Sequence, residues 1–397
     1  MNTSVMQTYG RYNVTFEKGE GSYLFDTDGR RYLDFGSGIA VNSVGHCHPH
    51  LVEALKKQAE VFWHCSNLYH IPDQQRLADR LTANSFADAV FFNNSGNEAV
   101  EMMAKIARKY QFENDHPERY RVISIQGAFH GRSLAMLAAG KQEKQLNGFG
   151  PVVDGFDQVA FGDLNEMRAA ITPETAAIMF EPVQGEGGIR VMDLDYVKAL
   201  RDLADELGLL LMADEVQTGV GRTGKLFAYD WSGVKPDVMA LAKGLGGGFP
   251  VGATLATAKV AAAMTPGTHG STFGGNPLAM AVANAVLDVV LANGFMENVM
   301  TTGKKLHDGM TALSAKYPTL FDEARGIGMH LGLKCKDGIV NNDIVIKAIE
   351  KGMLIVPGGD NVIRMIPPLT ITEEHVNEAM TIMEKTCDQL IAEGVGR

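Results

Sequence analysis

Short apolar runs recur through the middle of the chain, each bounded by turn residues and separated by longer amphipathic stretches. They are Ala89–Phe92, Arg121–Ile125, Ala177–Phe180, Leu209–Ala213 and Asp237–Ala242. Continuous apolar runs suit strands buried on both faces. Strands alternating with helices imply a mainly parallel sheet in an α/β fold. Ligands of such sheets sit beyond the carboxyl ends of the strands, so the residues just after each run matter most.

The flanks read differently. Ser22–Phe25 and Arg31–Phe35 surround Asp28-Gly29, a hairpin signal. Pro49 opens a helix whose stripe is Leu51, Ala54, Leu55, Ala59 and Phe62. Past Pro277 the pattern predicts a long helix to Asn293, another over Phe295–Lys316, a strand at Met329–Leu333 and a helix at Asn342–Lys351. Strands follow at Leu354–Val356 and Val362–Ile366. Thr370-x-x-Glu373 reads as a capping box for a last helix striped by Val376, Met380, Met383, Cys387 and Leu390. The expected division is a large domain over 61–275 and a smaller α+β domain built from 1–60 and 276–397.

Composition narrows the picture. Glycine is 44 of 397 residues, about 11% against roughly 7% on average. The glycines sit in short clusters, which predicts tight turns and close backbone approaches. Lys plus Arg is 36 and Asp plus Glu is 47, a net charge of −11. That balance argues against nucleic acid or an anionic membrane as partner. Met1–Gly19 has no apolar core of a secretory signal, and Leu278–Ala292 is too short and too interrupted to span a bilayer. Cys47, Cys65, Cys335 and Cys387 show no paired spacing, so reduced thiols and a cytoplasmic location are expected.

Three strand ends carry candidate chemistry. Lys243 closes the run Asp237–Ala242 and precedes Gly244-Leu-Gly-Gly-Gly248. Desolvation there lowers a lysine's pKa, and a neutral amine can form a Schiff base. Asp214 ends Leu209–Ala213 and is followed by Glu215 and Gln217. A carboxylate beside a pyridine nitrogen keeps it protonated, as pyridoxal-phosphate chemistry requires. Ser95-Gly96-Asn97-Glu98 has capping-box spacing, and the helix it opens presents free N–H groups to an anion such as phosphate. Taken singly, each has a plainer explanation: a snorkelling lysine, an acidic loop, an ordinary cap.

Two further patterns are set aside. Gly219-Val-Gly221-Arg-Thr-Gly224 matches the dinucleotide fingerprint of an NAD-dependent dehydrogenase. However, Asp214, Glu215 and Gln217 intervene after the strand and no helical period follows. His46-Cys47-His48-Pro49-His50 lacks a second ligand pair at zinc spacing and reads as a loop entering a helix.

Taken together, the chain resembles the class III (ω-amino acid) aminotransferases among the fold-type I pyridoxal-phosphate enzymes. The resemblance runs through Gly36–His46, Asn94–Glu98, Ala128-Phe-His-Gly-Arg132, Glu181-Pro-Val-Gln-Gly-Glu-Gly-Gly188, Asp214–Gly224, Lys243 and His269–Pro277, in that order. It implies a mainly parallel seven-stranded sheet covered by helices, pyridoxal 5'-phosphate as cofactor and a homodimer. By resemblance, Lys243 holds the cofactor and shuttles a proton, and Asp214 pairs with the ring nitrogen. Val216 and Phe129 cover the two ring faces, Gln217 reaches the phenolic oxygen, and Glu215 is counted with them among the cofactor's contacts. Backbone N–H groups of Gly96 and Asn97 bind the phosphate, with Thr272 of the neighbouring subunit completing that site. Asn97 stands where the family usually has Thr or Ala, so a side-chain phosphate contact is not implied.

The resemblance also implies an acylated ornithine as donor and 2-oxoglutarate as acceptor, leaving as glutamate. Succinylornithine, ornithine and 4-aminobutyrate are the alternative donors. The donor's carboxylate lies far from its reacting amine, whereas that of glutamate lies beside it. Two arginines are therefore expected. Arg132, with Ser271 nearby, is assigned to the donor and Arg364 to the acceptor, with Glu186 as the gate on Arg364.

Overall fold

The computed structural model describes residues 4–396. Met1–Thr3 and Arg397, the outermost ends of the expected smaller domain, lie outside the described residues.

A seven-stranded sheet forms the centre. Its spatial order is Ala89–Asn93, Gly252–Ala256, Val238–Leu241, Leu210–Asp214, Thr175–Phe180, Arg121–Ile125 and Phe156–Val159. Only Gly252–Ala256 runs antiparallel to its neighbours. Alternate residues of a strand face opposite sides, and both sides are covered here. Leu211, Ala213, Ile178 and Phe180 join one apolar cluster. Leu210, Met212, Ala177 and Met179 join another, packed under helix Gly96–Glu113. This two-sided burial explains why the sequence shows continuous apolar runs here.

The sequence pattern missed two strands of this sheet. Phe156-Asp-Gln-Val159 is an edge strand with two polar residues, and Gly252-Ala-Thr-Leu-Ala256 is made mostly of small residues. The expected helix over Phe295–Lys316 forms over that span, and the preceding one occupies Pro277–Val290. Among the described residues no single helix is long and apolar enough to cross a membrane.

The chain ends meet in a second region. Strand Arg31–Asp34 pairs in parallel with Met353–Leu354 and antiparallel with Tyr23–Asp26. An antiparallel sheet orders Phe321–Ile327, His330–Cys335, Val362–Met365 and Val356–Gly358. Leu33 and Phe35 share a core with Leu306, Leu331, Ile363, Met383 and Leu390. Helices Pro49–Ala59 and Pro277–Val290 pack on each other, and Leu51 and Val286 are buried in the larger sheet's core.

The last helix corrects one expectation. It spans Glu373–Ala392, and its cap is Thr372 rather than Thr370. The Thr372 N–H donates to His375 Nδ1 at 3.0 Å. Leu369 and Thr370 are taken up in a turn that the Ile371 N–H closes on the Pro368 carbonyl at 3.3 Å, so the helix begins only after Thr372.

Candidate active site

Five strands of the large sheet deliver side chains or backbone to one cavity of about 360 Å³. Asn94–Asn97 follow Ala89–Asn93, and Phe129–Arg132 follow Arg121–Ile125. Glu181 and Glu186 follow Thr175–Phe180, Asp214, Val216 and Gln217 come at the end of Leu210–Asp214, and Lys243 follows Val238–Leu241. All leave at the carboxyl edge, as a parallel sheet dictates.

Asp214 lies deep in this cavity at 4% exposure. Its Oδ2 is 2.8 Å from His130 Nδ1, and its Oδ1 accepts the Val216 N–H at 3.0 Å. Burial disfavours a charged His130, but the Asp214 hydrogen bond and charge outweigh it and raise the imidazole's pKa. Buried Glu181 accepts the Phe129 N–H at 2.8 Å. Burial, then the Asp214 charge, pushes its carboxyl up to about 7, against the opposing pull of His130. Glu181 thereby fixes the backbone that presents Phe129.

Lys243 adopts φ +39°, a conformation that favours glycine, directly after a fully buried strand. Burial lowers its pKa and the nearby Arg364 charge adds to this, against the opposing pull of Glu186, Asp214 and Glu181. The result is an amine biased toward its neutral, nucleophilic form.

At the other end of the cavity, Gly96 and Asn97 open an 18-residue helix. First-turn N–H groups have no intrahelical partner and the helix dipole favours an anion there. Ser95 Oγ accepts the Glu98 N–H at 3.2 Å, while the Glu98 carboxylate takes the Asn94 N–H at 2.6 Å. A Cβ on Gly96 would meet Val216 Cγ1 at 2.6 Å, so glycine is what lets the helix end and Val216 close on one cradle. The Asn97 side chain has another task. Its Oδ1 accepts the N–H groups of Arg132 and Ser133 at 2.6 and 2.8 Å, pinning the loop that carries Arg132. The Arg132 guanidinium lies 5.2 Å from the Phe129 ring centre.

Not every expected residue lines the cavity. Glu215 departs from its expected place among the cofactor's contacts. Neighbouring residues at a strand end face opposite sides, so Asp214 enters the cavity while Glu215 turns away. Its carboxylate accepts the N–H groups of Ala228 and Tyr229 at 2.7 and 2.8 Å. Ser271 Oγ receives Asn94 Nδ2 and the Gly274 N–H at 3.2 and 2.9 Å, and exposed Thr272 sits on the same loop outside the cavity. Arg364 is buried behind Glu186, which it grips at 2.6 Å.

The set-aside motifs find structural uses. A Cβ on Gly221 or Gly224 would press on Met296 or Met300, so those glycines allow close packing against helix Phe295–Lys316. His46 pairs with Asp34 at 2.7 Å and His50 with Asp288 at 2.8 Å, in separate places. Sequence reading assigned no role to His130 or Glu181, although both lie inside motifs it singled out. Buried Arg222 likewise sits inside such a motif without an assigned role, and buried His330 carried no local signal.

The cavity, at the carboxyl edge of a fold-type I sheet, thus offers what pyridoxal phosphate chemistry calls for: a desolvated lysine amine, a buried carboxylate and a helix-end anion cradle. The class-III aminotransferase family model matches residues 5–387, and the chain belongs to that family, whose members depend on pyridoxal phosphate. It is 57% identical over 384 residues to the acetylornithine aminotransferase of Brucella melitensis, covering 96% of this chain and 94% of that one. It superposes on the N-acetylornithine aminotransferase of Stenotrophomonas maltophilia with TM-score 0.85 at 36% identity, covering 97% and 98% of the two chains. An ornithine aminotransferase from Toxoplasma gondii, with partial occupancy of pyridoxal phosphate at its active site, gives TM-score 0.93 at 35% identity, over 98% and 93%.

Proposed function

We propose that the chain moves the terminal amine of N2-acetylornithine to 2-oxoglutarate, giving N-acetylglutamate 5-semialdehyde and glutamate in two alternating half-reactions. The observation that carries this reading is a pair of arginines, one lining the cavity and the other buried behind Glu186 on its wall. Arg132 is open, whereas Arg364 is held by Glu186. A donor whose carboxylate lies far from its amine needs only Arg132. An acceptor whose carboxylate lies beside the reacting carbon needs Arg364, and takes it by displacing Glu186. The acetylornithine aminotransferases similar to this chain support the choice of donor.

The cavity's residues suit pyridoxal phosphate. Gly96 lets Val216 close against the helix end whose free N–H groups would take the phosphate, Val216 and Phe129 offer apolar faces, and Asp214 offers the carboxylate. When bound, the cofactor supplies an electron sink for the pair released as the donor's C–H bond breaks, and it carries the amine between half-reactions. Asp214, oriented by His130, holds the proton on the ring nitrogen. Lys243 anchors the cofactor through its neutral amine, then gives and takes the proton at the substrate's reacting carbon. Gln217 donates to the phenolic oxygen, and Phe129 and Val216 exclude water from the ring faces.

We further assign a homodimer in which Thr272 completes the partner's phosphate site. Exposed Trp63, Tyr69 and Phe273 support it, since apolar side chains grouped in this way mark an interface. The smaller domain draws on both chain ends, with Pro49–Ala59 and Pro277–Val290 going with the larger core by packing. Four unpaired thiols fit a reducing cytoplasm.

A donor panel with 2-oxoglutarate tests the reading. N2-acetylornithine is expected to give the highest kcat/KM among acetylornithine, succinylornithine, ornithine and 4-aminobutyrate. A higher value for unacylated ornithine or 4-aminobutyrate would overturn the donor assignment.

A further inference from the structure

His330 is the first residue of strand His330–Cys335 and is fully buried. Its Nε2 lies 2.9 Å from Gln217 Oε1, across 113 residues of sequence. Its Nδ1 has no hydrogen-bond partner. We propose that His330 is a positioning residue for Gln217: its Nε2–H donates to Gln217 Oε1 and turns the amide's N–H end toward Glu186 and the cavity. This rests on the reading of Gln217 as a donor to the cofactor's phenolic oxygen.

The orientation follows from what surrounds the amide. An amide can present oxygen or nitrogen to a neighbour, and only the network decides which. With a proton on Nδ1 instead, the Nε2 lone pair would face the Gln217 oxygen at 2.9 Å. Turning the amide over would then bring its oxygen to the cavity side, where the Glu186 carboxylate also stands, and would leave the His330 Nδ1–H buried with no acceptor. An orphaned buried N–H costs more than an unpaired imidazole lone pair. An Nε2–H on His330 avoids both penalties.

The local charge keeps the imidazole neutral. Burial disfavours its cation, and Arg222, Arg364 and Lys243 repel it further. Its single proton therefore stays on one nitrogen across the working pH range. Gly185 supplies the room, because a Cβ there would lie 1.9 Å from Gln217 Oε1. Gln217 and Glu186 both line the cavity, each backed by a buried partner: His330 behind the first and Arg364 behind the second.

Two measurements on the holoenzyme test the proposal. In the first, nitrogen NMR of 15N-histidine-labelled protein, with His330 assigned by its loss in His330→Gln, is expected to show a neutral ring protonated at Nε2. A ring protonated at Nδ1, or at both nitrogens, overturns the proposal. In the second, the pH midpoint of the bound chromophore's visible absorbance is followed in Gln217→Ala, His330→Leu and His330→Gln. Loss of a donor to an anionic oxygen makes a neighbouring proton harder to remove. Gln217→Ala and His330→Leu are expected to raise the midpoint together, by on the order of one unit, while His330→Gln stays near wild type. A shift in Gln217→Ala without one in His330→Leu overturns the positioning role and leaves that of Gln217 standing. No shift in either removes the reading of Gln217 and the proposal with it. If His330→Leu does not fold, the tautomer seen by NMR decides.

Discussion

Arg364 and Glu186 form a two-pronged ion pair, Nη1 to Oε1 at 2.6 Å and Nη2 to Oε2 at 3.2 Å. Burial alone would raise the Glu186 pKa, but Arg364 overrides it and keeps the carboxylate ionised. A buried arginine bound this way cannot be left alone without cost. Any substrate that takes Arg364 must therefore bring its own carboxylate. Arg364→Ala should raise the KM for 2-oxoglutarate on the order of 100-fold, and Arg364→Lys should not restore it, because an ammonium lacks the planar fork. Glu186→Ala should leave Arg364 open to donor carboxylates and raise turnover of α-amine donors relative to acetylornithine. Steady-state kinetics with both substrates varied reads each effect.

Arg132 is held from behind, through its backbone, by Asn97 Oδ1. Its guanidinium is free to meet a carboxylate entering over Phe129. Arg132→Ala should raise the donor KM by roughly tenfold or more and change the 2-oxoglutarate KM far less. Equal effects on both would remove its assigned role.

Gly96 tests the cradle without touching a charged group. Gly96→Ala places a methyl 2.6 Å from Val216 Cγ1, so Val216 must shift from the ring face. Overpacking of this kind costs about 1–3 kcal/mol. The apoenzyme's affinity for pyridoxal phosphate should fall on the order of tenfold, and the same strain should lower its melting temperature by about a few degrees. Fluorescence titration of the apoenzyme measures this.

Glu215 gives a pH prediction. Burial raises its carboxyl to about 7, against the hydrogen bonds from Ala228 and Tyr229, from an ordinary value of 4.5. Between those values the folded chain binds the extra proton and the unfolded chain does not. The stability this site contributes is thus complete below the unfolded value and is lost as pH rises through about 7. Glu215→Gln carries no such titration, and its amide N–H end meets backbone donors. Its melting temperature should fall below wild type by more at about pH 5 than at about pH 8. Calorimetry at the two pH values checks the sign.

How far the sequence foretold this site depends on how local each signal was. Strand ends announced Asp214 and Lys243, because an apolar run that stops at a charged residue is visible in one window. Asn97 was foreseen as a backbone donor, but its side chain's hold on Arg132 spans 35 residues. Glu215 was misplaced because its side of the strand end depends on tertiary burial. Gly252–Ala256 was missed because small residues in a buried strand lack the bulk that marks one. His330 was invisible because it is one polar residue in an apolar stretch whose partner lies 113 residues away. Arg222 stood inside the glycine-rich motif, but its partners lie more than 100 residues further on.

The central claim is that Lys243, a desolvated amine in a strained turn, carries the cofactor. Lys243→Ala should abolish multiple turnover, and borohydride treatment of the wild-type holoenzyme followed by peptide mass mapping tests the claim most directly. The account predicts reduced cofactor bonded to Lys243 and to no other lysine. Cofactor fixed to another residue, or a holoenzyme from which borohydride-treated cofactor is fully released on denaturation, would contradict it.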